Sequence, residues 1–193
     1  MKESGIGPSQ FAVLGMLTLR PMSGYDVKQT IEQSIAHFWG ESFGQIYPSL
    51  KRLVAAGMIT GKASRSKSQA GREKHTYAIT AKGRKEFENW LGVAPREQPP
   101  RSELLLKVFF AAEVPVEVTL AHVSALRERQ LKMLAVYGGV EKQLERVHRN
   151  NPKLPFWLMT LSFGRHRSQA MIDWCDETLK KLAKMLPSEG VAV

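Results

Sequence analysis

The amino-acid sequence predicts a mainly α-helical protein in two parts, the first of which also contains a small β-hairpin. Apolar residues recur at helical spacing through most of the chain. Only two short runs are typical of strands, and three prolines fall within six residues near the middle. We therefore predict a domain at residues 1–94, a linker at 95–101, a second domain at 102–187 and a tail at 188–193.

Three helices are predicted at the start of the first domain. The first spans residues 9–20, with Ser9 as its N-cap. Ser23 caps the second, and the apolar spacing that follows predicts a buried stripe. The stripe consists of Val27, Ile31 and Ile35. The third helix runs from about Phe43 to Ala56 and stops at Gly57, a residue type that commonly follows a helix.

Two extended runs and a fourth helix follow. Met58–Ala63 and His75–Ile79 are separated by a polar, basic stretch, which predicts a hairpin with a long tip. Thr80 then caps a helix through Leu91 that is expected to bury its large apolar residues, Phe87, Trp90 and Leu91. Three helices, a hairpin and a closing helix, in that order, are typical of a winged helix-turn-helix domain with a small β-hairpin wing.

The second domain is predicted to be an all-α dimerisation domain. Ser102 caps a short apolar helix through Ala111, and Pro115 begins a long helix in which Gly138-Gly139 predicts an irregularity. A last helix, from about Leu158 to Leu186, repeats apolar residues at spacings of three and four, which indicates a helix–helix seam. The predicted dimer interface consists of Leu106, Phe109, Phe110, Ile172, Cys175, Leu179, Leu182 and Leu186.

The positive charge of the chain is concentrated in one segment. The 193 residues include 28 Lys and Arg against 18 Asp and Glu, a formal net charge of +10. Residues 45–85 hold ten of the basic residues and one acid, Glu73, which gives this segment a net charge of +9. Ordinary soluble surfaces intersperse both signs, whereas nucleic-acid-binding proteins cluster their basic residues. Because the segment spans the third helix and the hairpin, we predict a DNA-binding surface there.

The third helix separates apolar from polar residues. A helical projection places four apolar residues on one arc, which we expect to pack on the first two helices. They are Ile46, Leu50, Leu53 and Val54. The opposite side and its flanks carry the predicted DNA contacts Gln45, Tyr47, Pro48, Ser49, Lys51 and Arg52. Gln and Ser can bond base edges, Arg can bond guanine or phosphate, and the Tyr hydroxyl can bond phosphate.

The start of this helix is left open by the sequence. Ser42 and Gln45 fit a capping box, but that start places Pro48 beyond the first turn, where proline is costly. Either the helix begins later or its opening turns are irregular. In the hairpin, four basic residues suit phosphate or minor-groove contacts by a wing, the alternative being a solvated basic loop that binds nothing. They are Arg65, Lys67, Arg72 and Lys74.

Several stretches of the chain jointly match one family. They are Leu14-Gly15-Met16-Leu17, Ser23-Gly24-Tyr25-Asp26, Phe38-Trp39, Gly44-Gln45-Ile46-Tyr47-Pro48-Ser49-Leu50-Lys51-Arg52-Leu53, Gly71-Arg72, Tyr77-Ala78-Ile79-Thr80 and Gly83-Arg84. On these residues the chain resembles the PadR (phenolic-acid-decarboxylase regulator) family of bacterial repressors. Glu103-Leu104-Leu105-Leu106-Lys107-Val108-Phe109-Phe110 and Trp174 resemble the longer members, which carry an appended helical domain.

The resemblance implies a homodimer held by the C-terminal helices, a palindromic double-stranded DNA operator, and often release by a small aromatic or amphipathic effector. We add Ser23 and Tyr25 to the predicted DNA contacts on this basis. Family members usually bind effectors between the two domains, and the candidate lining here is His37, Phe38, Trp39, Phe156 and Trp157. Core packing is the alternative for these aromatic residues. The residues after Arg72 depart from the family pattern, so no base preference is transferred.

Other functional classes find less support in the sequence. No phosphate-binding glycine loop, zinc-protease motif or nucleophile elbow is present, so we expect no enzyme, no cofactor and no metal site. Cys175 is the only cysteine, which excludes an internal disulfide, and is interpreted as a small buried residue. The apolar run Phe11–Leu19 is too short to span a membrane, and we expect a cytoplasmic protein. Two alternatives stay open: a helical interaction module that binds no DNA, and an activator without a small-molecule effector.

Overall fold

A computed structural model of the chain describes residues 6–36, 38–39, 43–64, 74–95 and 101–186. The chain divides into two compact units, Met1–Glu97 and Gln98–Val193. The described residues are mostly helical, with one small antiparallel sheet in the first unit, which confirms the predicted fold class. None of the helices in these ranges has the length and apolar content that crossing a membrane requires.

The described part of the first unit contains four helices and three strands. In chain order they are α1 (Pro8–Leu17), β1 (Met22–Ser23), α2 (Gly24–Ser34), α3 (Phe43–Ala55), β2 (Ile59–Ser64), β3 (Lys74–Ile79) and α4 (Ala81–Leu91). The sheet order is β1-β3-β2 and both pairings are antiparallel. The predicted hairpin is therefore present as β2 and β3. The sequence did not predict β1, because two residues are too few to show a periodicity.

Side-chain caps begin α2 and α4 as predicted. Ser23 Oγ accepts a hydrogen bond from the Asp26 backbone N–H at 3.2 Å, and Asp26 Oδ2 accepts one from the Ser23 N–H at 3.1 Å. Thr80 Oγ1 accepts from the Gly83 N–H at 3.1 Å. The prediction of Ser9 as the cap of α1 was wrong. The helix begins at Pro8, which needs no hydrogen-bond acceptor for its nitrogen and therefore suits a first position.

The core of the first unit lies among α1, α2, α3 and the start of the sheet. Its buried members are Phe11, Val13, Leu14, Met16, Leu17, Met22, Val27, Ile31, Ile46, Leu50, Leu53, Met58 and Ile59. Three residues predicted to be buried are exposed: Val54 lies at the edge of the apolar arc, and Trp90 and Leu91 are the last two residues of α4. One face of the Trp90 ring is nevertheless stacked on Phe11, at 4.7 Å between centroids.

A tight junction connects α3 to the sheet and to α4. Gly57, directly after α3, has a φ of +68°, a left-handed conformation that favours glycine. The Met58 carbonyl oxygen accepts hydrogen bonds from the Thr80 N–H at 2.9 Å and from Thr80 Oγ1 at 3.0 Å. A Cβ atom at Gly83 would lie 2.1 Å from that same oxygen, so α4 can approach so closely only because residue 83 is glycine.

The described part of the second unit is a long helical hairpin with a short helix packed on it. Its elements are α5 (Glu103–Phe109), a 3₁₀ turn (Ala111–Glu113), α6 (Val116–His148) and α7 (Leu154–Ala183). Ser102 Oγ accepts from the Leu105 N–H at 3.2 Å, as its predicted role as a cap requires. Helix α6 continues through Gly138-Gly139, so the predicted irregularity was wrong. The propensity cost of a glycine, about 1 kcal/mol, is small enough for packing to override it.

Polar pairs join α6 to α7 and show that the two helices run antiparallel. The pairs are Arg127 with Asp176, Gln130 with Ser168 at 2.9 Å, and Glu141 with Arg165 at 2.6 Å. As the residue numbers of these partners rise along α6, those of their partners on α7 fall in all three pairs. The two helices share an extensive contact along this length.

The apolar seam of α7 faces α6 of the same protomer. Val123 and Leu126 on α6 form a buried cluster with Cys175 and Leu182 on α7, and Leu179 packs against it. Ile172 is buried as well. The predicted dimer interface is therefore corrected for Ile172, Cys175 and Leu182, which the protomer buries itself, whereas Leu179 is only partly buried and its place in an interface stays a prediction. Spacings of three and four identify a helix–helix seam but do not say which helix fills it.

We predict that Gly164→Ala destabilises the second unit. A Cβ at Gly164 would lie 2.9 Å from Cζ of the buried Tyr137, so the ring must move in a packed seam, at a cost of about 1–3 kcal/mol. Urea unfolding followed by circular dichroism measures this change. Gly138→Ala is the matched control, because its Cβ meets no atom within 4 Å and alanine favours helix. Equal stabilities of the two variants would contradict the prediction.

Candidate nucleic-acid interface

Helix α3 begins early and contains a proline. It starts at Phe43, so Pro48 lies inside the helix rather than in its first turn. Because proline has no N–H, the Gly44 carbonyl four residues earlier lacks its usual helical donor. Of the two possibilities that the sequence left open, the later start is therefore not observed. Pro48 is exposed, so its ring shapes the solvent side of the helix.

The solvent side of α3 carries most of the residues predicted to contact DNA. Gln45, Pro48, Lys51 and Arg52 are all exposed, while Ile46, Leu50 and Leu53 on the other side are almost completely buried. The buried side anchors the helix to the core. The polar and basic side chains therefore project together from a rigid support.

The start of α2 lies against α3 through an aromatic ring. A Cβ at Gly24 would lie 2.8 Å from Cε1 of Tyr47, so the Tyr47 ring covers the backbone at the first residue of α2. Both Tyr47 and the neighbouring Tyr25 remain more than half exposed. The Ser-Gly-Tyr motif and the Gln-Ile-Tyr-Pro motif, distant in sequence, thus form one continuous surface.

Two predicted contact residues do not belong to this surface. Ser49 is only 1% exposed, and its hydroxyl lies in the core between α3 and α1. Ser23 is buried and its side chain is engaged in capping α2. Both predictions are corrected. A helical projection places Ser49 at the flank of the polar side, but α1 packs over that flank, which periodicity on one helix does not reveal.

A buried polar contact between α1 and α3 was missed from the sequence. Gln10 Nε2 donates to Ser49 Oγ at 3.4 Å, and Gln10 Oε1 accepts from the Gly7 N–H at 2.8 Å. Both side chains are buried. The only signal in the sequence was a polar residue, Gln10, directly before the apolar positions of α1. Through Gln10, the start of α1 is thus bonded to the buried side of α3.

The wing strands extend from the same unit. Thr60, Gly61 and Lys62 on β2 are exposed, and β2 pairs with β3 up to Ser64 and Lys74. Three of the predicted wing contacts lie outside the described residues: Arg65, Lys67 and Arg72. Lys74 is placed only as the first residue of β3. The four therefore stay predictions.

One basic residue of the charged segment has an internal role. Lys82 Nζ donates to the Ala56 carbonyl at 2.8 Å, at the C-terminal end of α3. A cation there complements the negative end of the helix dipole. Lys51 and Arg52, by contrast, are exposed on the solvent side of α3.

The predicted effector residues are distributed over both units. Phe38 is exposed and Trp39 half-buried in the first unit, and His37 lies outside the described residues. In the second unit Phe156 is exposed, while Trp157 packs edge-on against His148 at 5.3 Å between ring centroids. Their role in binding an effector stays a prediction.

An open groove of about 520 Å³ runs between α6 and α7. Its lining consists of Ser124, Arg127, Glu128, Leu131, Asp176, Leu179 and Lys180. A hydrogen bond from Arg127 holds the pKa of the Asp176 carboxyl below its usual range. Burial raises the pKa of the adjacent Cys175 thiol, which fits an unreactive packing residue. Within the described ranges, no group of three or more His, Cys, Asp or Glu side chains could hold a metal ion.

We predict that Gln10→Leu destabilises the first unit by about 1–3 kcal/mol, because the buried Ser49 hydroxyl loses its partner. Adding Ser49→Ala removes the orphaned group and should recover at least half of the loss. The measurement is a double-mutant cycle of unfolding free energies. In the control cycle Gln33→Leu, on the exposed side of α2, replaces Gln10→Leu and should be additive with Ser49→Ala. Additivity in both cycles would contradict the proposed contact.

Two family models match the chain. The model described as "Transcriptional regulator PadR-like family" matches residues 13–89, and the one described as "Virulence activator alpha C-term" matches residues 100–183. The negative transcriptional regulator PadR of Bacillus subtilis (strain 168) is 27% identical over 180 residues, covering 91% of this chain and 97% of that protein.

Solved structures share the fold over nearly the whole chain. The crystal structure of Bacillus subtilis PadR in complex with operator DNA has a TM-score of 0.77 at 24% identity and covers 90% of this chain and 98% of its own. The same protein in complex with p-coumaric acid has a TM-score of 0.71, with the same identity and coverage. The Vibrio cholerae virulence activator AphA has a TM-score of 0.72 at 24% identity and covers 92% and 99%. The chain therefore contains a PadR-like transcriptional-regulator domain at residues 13–89, followed by a domain of the virulence-activator alpha C-terminal type at residues 100–183.

Proposed function

We propose that this regulator binds double-stranded DNA sequence-specifically through its first unit and acts as a repressor. The observation that carries the proposal is the exposed side of α3, where Lys51 and Arg52 lie beside Gln45 on a helix whose other side is fixed in the core. The segment that contains them has a net charge of +9. Supporting this, the Bacillus subtilis relative is a negative regulator and has been crystallised with operator DNA.

In the proposed complex, α3 enters the major groove. Gln45 is suited to base edges, while Lys51 and Arg52 are suited to phosphates or guanine. Tyr25 and Tyr47, on the shared surface of α2 and α3, offer hydroxyls to the flanking phosphates. The wing would add contacts to the phosphate backbone of the DNA. They would come from Lys62, Lys74 and the tip residues Arg65, Lys67 and Arg72. Phosphate contacts supply much of the affinity and base contacts the specificity.

We further propose that the chain acts as a homodimer on a palindromic operator. A two-fold dimer presents two α3 helices to half-sites about one DNA turn apart. Three apolar side chains on α5 and at its C-cap support a role for the second unit in pairing, since Leu106, Phe109 and Phe110 are all well exposed. Leu186 is partly exposed and stays in the proposed interface. As a regulator without catalytic activity, the protein would work at the chromosome, in the cytoplasm.

Removing charge from α3 tests DNA binding. Genomic fragments that the protein retains in vitro identify the operator, and fluorescence anisotropy then gives affinity against salt. Lys51→Ala with Arg52→Ala should weaken operator binding at least about tenfold, and the slope of log K against log salt should fall by about 2. Lys142→Ala with Arg146→Ala, two exposed positions of α6, is the matched control and should change neither value. Full operator affinity in the α3 variant would refute the proposal, and the absence of any retained fragment would favour the interaction-module alternative.

We also propose that a small aromatic or amphipathic effector releases the repressor from DNA. The relative's complex with p-coumaric acid supports this class of ligand. An effector acts by binding two conformations with different affinity, so it must lower operator affinity on binding. Titrating phenolic acids while following Trp fluorescence and operator binding should show both signals changing together. If none of the compounds alters either signal, the effector proposal fails while DNA binding stands.

An activator is the second candidate function. The family model that matches residues 100–183 carries the description of a virulence activator, which favours this possibility. Measuring transcription from the identified promoter with and without the protein distinguishes a repressor from an activator. A repressor lowers basal transcription, whereas an activator raises it and needs no release by a small molecule.

A further inference from the structure

The two ends of α3 are held in different ways. The C-terminal end is fixed to α4, because the Ala56 carbonyl just after the helix accepts a hydrogen bond from Lys82 Nζ at 2.8 Å. The other end contains Pro48, which has no N–H for the Gly44 carbonyl and whose ring pushes that carbonyl away. The opening turn, which carries the exposed Gln45, is therefore less constrained by the backbone hydrogen bonds of its own helix.

Apolar packing alone allows such a helix to roll about its axis. Ile46 and Leu50 on the inner side of α3 are almost completely buried. The hydrophobic effect is non-directional, however, and buried side chains repack at modest cost when their total volume is kept. A roll of about 10° moves the surface of a helix about 5–6 Å in radius by about 1 Å. A hydrogen bond from Gln45 to a base edge tolerates less than that, since its heavy-atom distance is restricted to about 2.7–3.2 Å.

A directional contact holds the flank of α3 that faces α1. Ser49 lies one turn after Gln45 and is 1% exposed, and its Oγ accepts a hydrogen bond from Gln10 Nε2 at 3.4 Å. The other end of the same amide is also fixed, because Gln10 Oε1 accepts from the Gly7 N–H at 2.8 Å. Gln10 therefore joins the start of α1 to one flank of α3 through hydrogen bonds whose geometry depends on the rotation of α3.

The opposite flank of α3 is held by α2. Tyr47 precedes Ser49 by two residues, about 200° around the helix, so the two side chains leave opposite flanks. The Tyr47 ring lies against the backbone of Gly24, where a Cβ would approach its Cε1 to 2.8 Å, but the side chain remains half exposed. Of these two flank contacts, the hydrogen bond between Ser49 and Gln10 is the buried one. A buried hydrogen bond is electrostatically stronger than one in water, so this contact constrains the rotation more sharply.

We propose that Gln10 is a positioning residue for operator recognition, which acts through Ser49 to fix the rotation of α3 and with it the place of Gln45. Gln10 is itself buried, so it acts through α3 rather than by touching DNA. The inference rests on the proposed DNA binding by α3 and adds that a contact inside the protein controls its base specificity. Loss of the contact should reduce sequence discrimination more than nonspecific attraction, because phosphates are attracted over about 10 Å whereas base edges require placement within about 1 Å.

The double variant Gln10→Leu with Ser49→Ala tests the positioning. It removes both polar groups together, so neither is left buried without its partner and the first unit should stay folded, which circular dichroism and urea unfolding check. Fluorescence anisotropy on the full chain gives its affinity for the operator and for a scrambled duplex of the same length. Operator affinity should fall at least about fivefold, the discrimination that one base contact provides. Affinity for the scrambled duplex and its salt dependence should stay within about twofold of wild type, since the phosphate contacts remain.

Two controls separate positioning from a general loss of stability. Ile31→Val shortens a buried side chain of α2 by one methylene group, lowers stability modestly while Gln10 and Ser49 stay in place, and should leave discrimination unchanged. In the second control the double variant is added to Gln45→Ala. Operator affinity should then fall by less than about a further twofold, because the side chain that Gln10 positions is already absent.

Each result decides the inference. Operator affinity of the double variant within twofold of wild type would overturn it, as would an equal fall for the operator and the scrambled duplex. A full fivefold fall in the Gln45→Ala background would overturn it too, since that result indicates a structural role independent of Gln45. All three results leave DNA binding by α3 standing. If the wild-type chain does not distinguish the operator from the scrambled duplex, the proposed sequence-specific binding itself fails, and the inference with it.

Discussion

The Met58 carbonyl oxygen is the point on which the geometry of the first unit depends. It accepts two hydrogen bonds from Thr80, one from the backbone and one from the side chain, and Gly83 lies so close that any Cβ would collide with it. Gly57, in its left-handed conformation, turns the chain into this position. The end of α3, the start of β2 and the start of α4 are therefore held together at one site. The orientation of the exposed side of α3 relative to the wing follows from that arrangement, because each element leaves the junction in a fixed direction.

The second unit achieves rigidity by a different route. Its long helices bury one apolar seam and add polar pairs such as Arg127 with Asp176 at the border of the seam. These pairs are partly exposed and contribute little energy individually, but they favour one register of α6 against α7. The protomer thus fills most of its own seam. Exposed apolar residues remain outside the seam on α5 and on the first half of α7.

Local chemistry explains which parts of the fold were predictable. Ser23, Thr80 and Ser102 were identified as caps because capping depends on a few adjacent residues. Gly57 was identified as the end of α3 for the same reason. Ser9 was misassigned because Gly7 followed by Pro8 is an equally suitable helix start. The start at Gly7 is accompanied by a contact across the core, since the Gln10 side chain bonds both the Gly7 N–H and Ser49. The two-residue strand β1 exists only because β3 lies beside it.

The sequence by itself determined the helical periodicities, the caps, the basic segment and the motifs of the family, all of which are properties of neighbouring residues or of composition. Tertiary structure alone decided which polar residues of α3 face solvent, since Ser49 is covered by α1 while Gln45 is not. It also decided that the seam of α7 is filled within the protomer and that Tyr47 lies on Gly24. The physical reason is the same in each case: burial depends on what packs from another part of the chain, and a single element's periodicity contains no information about its neighbour.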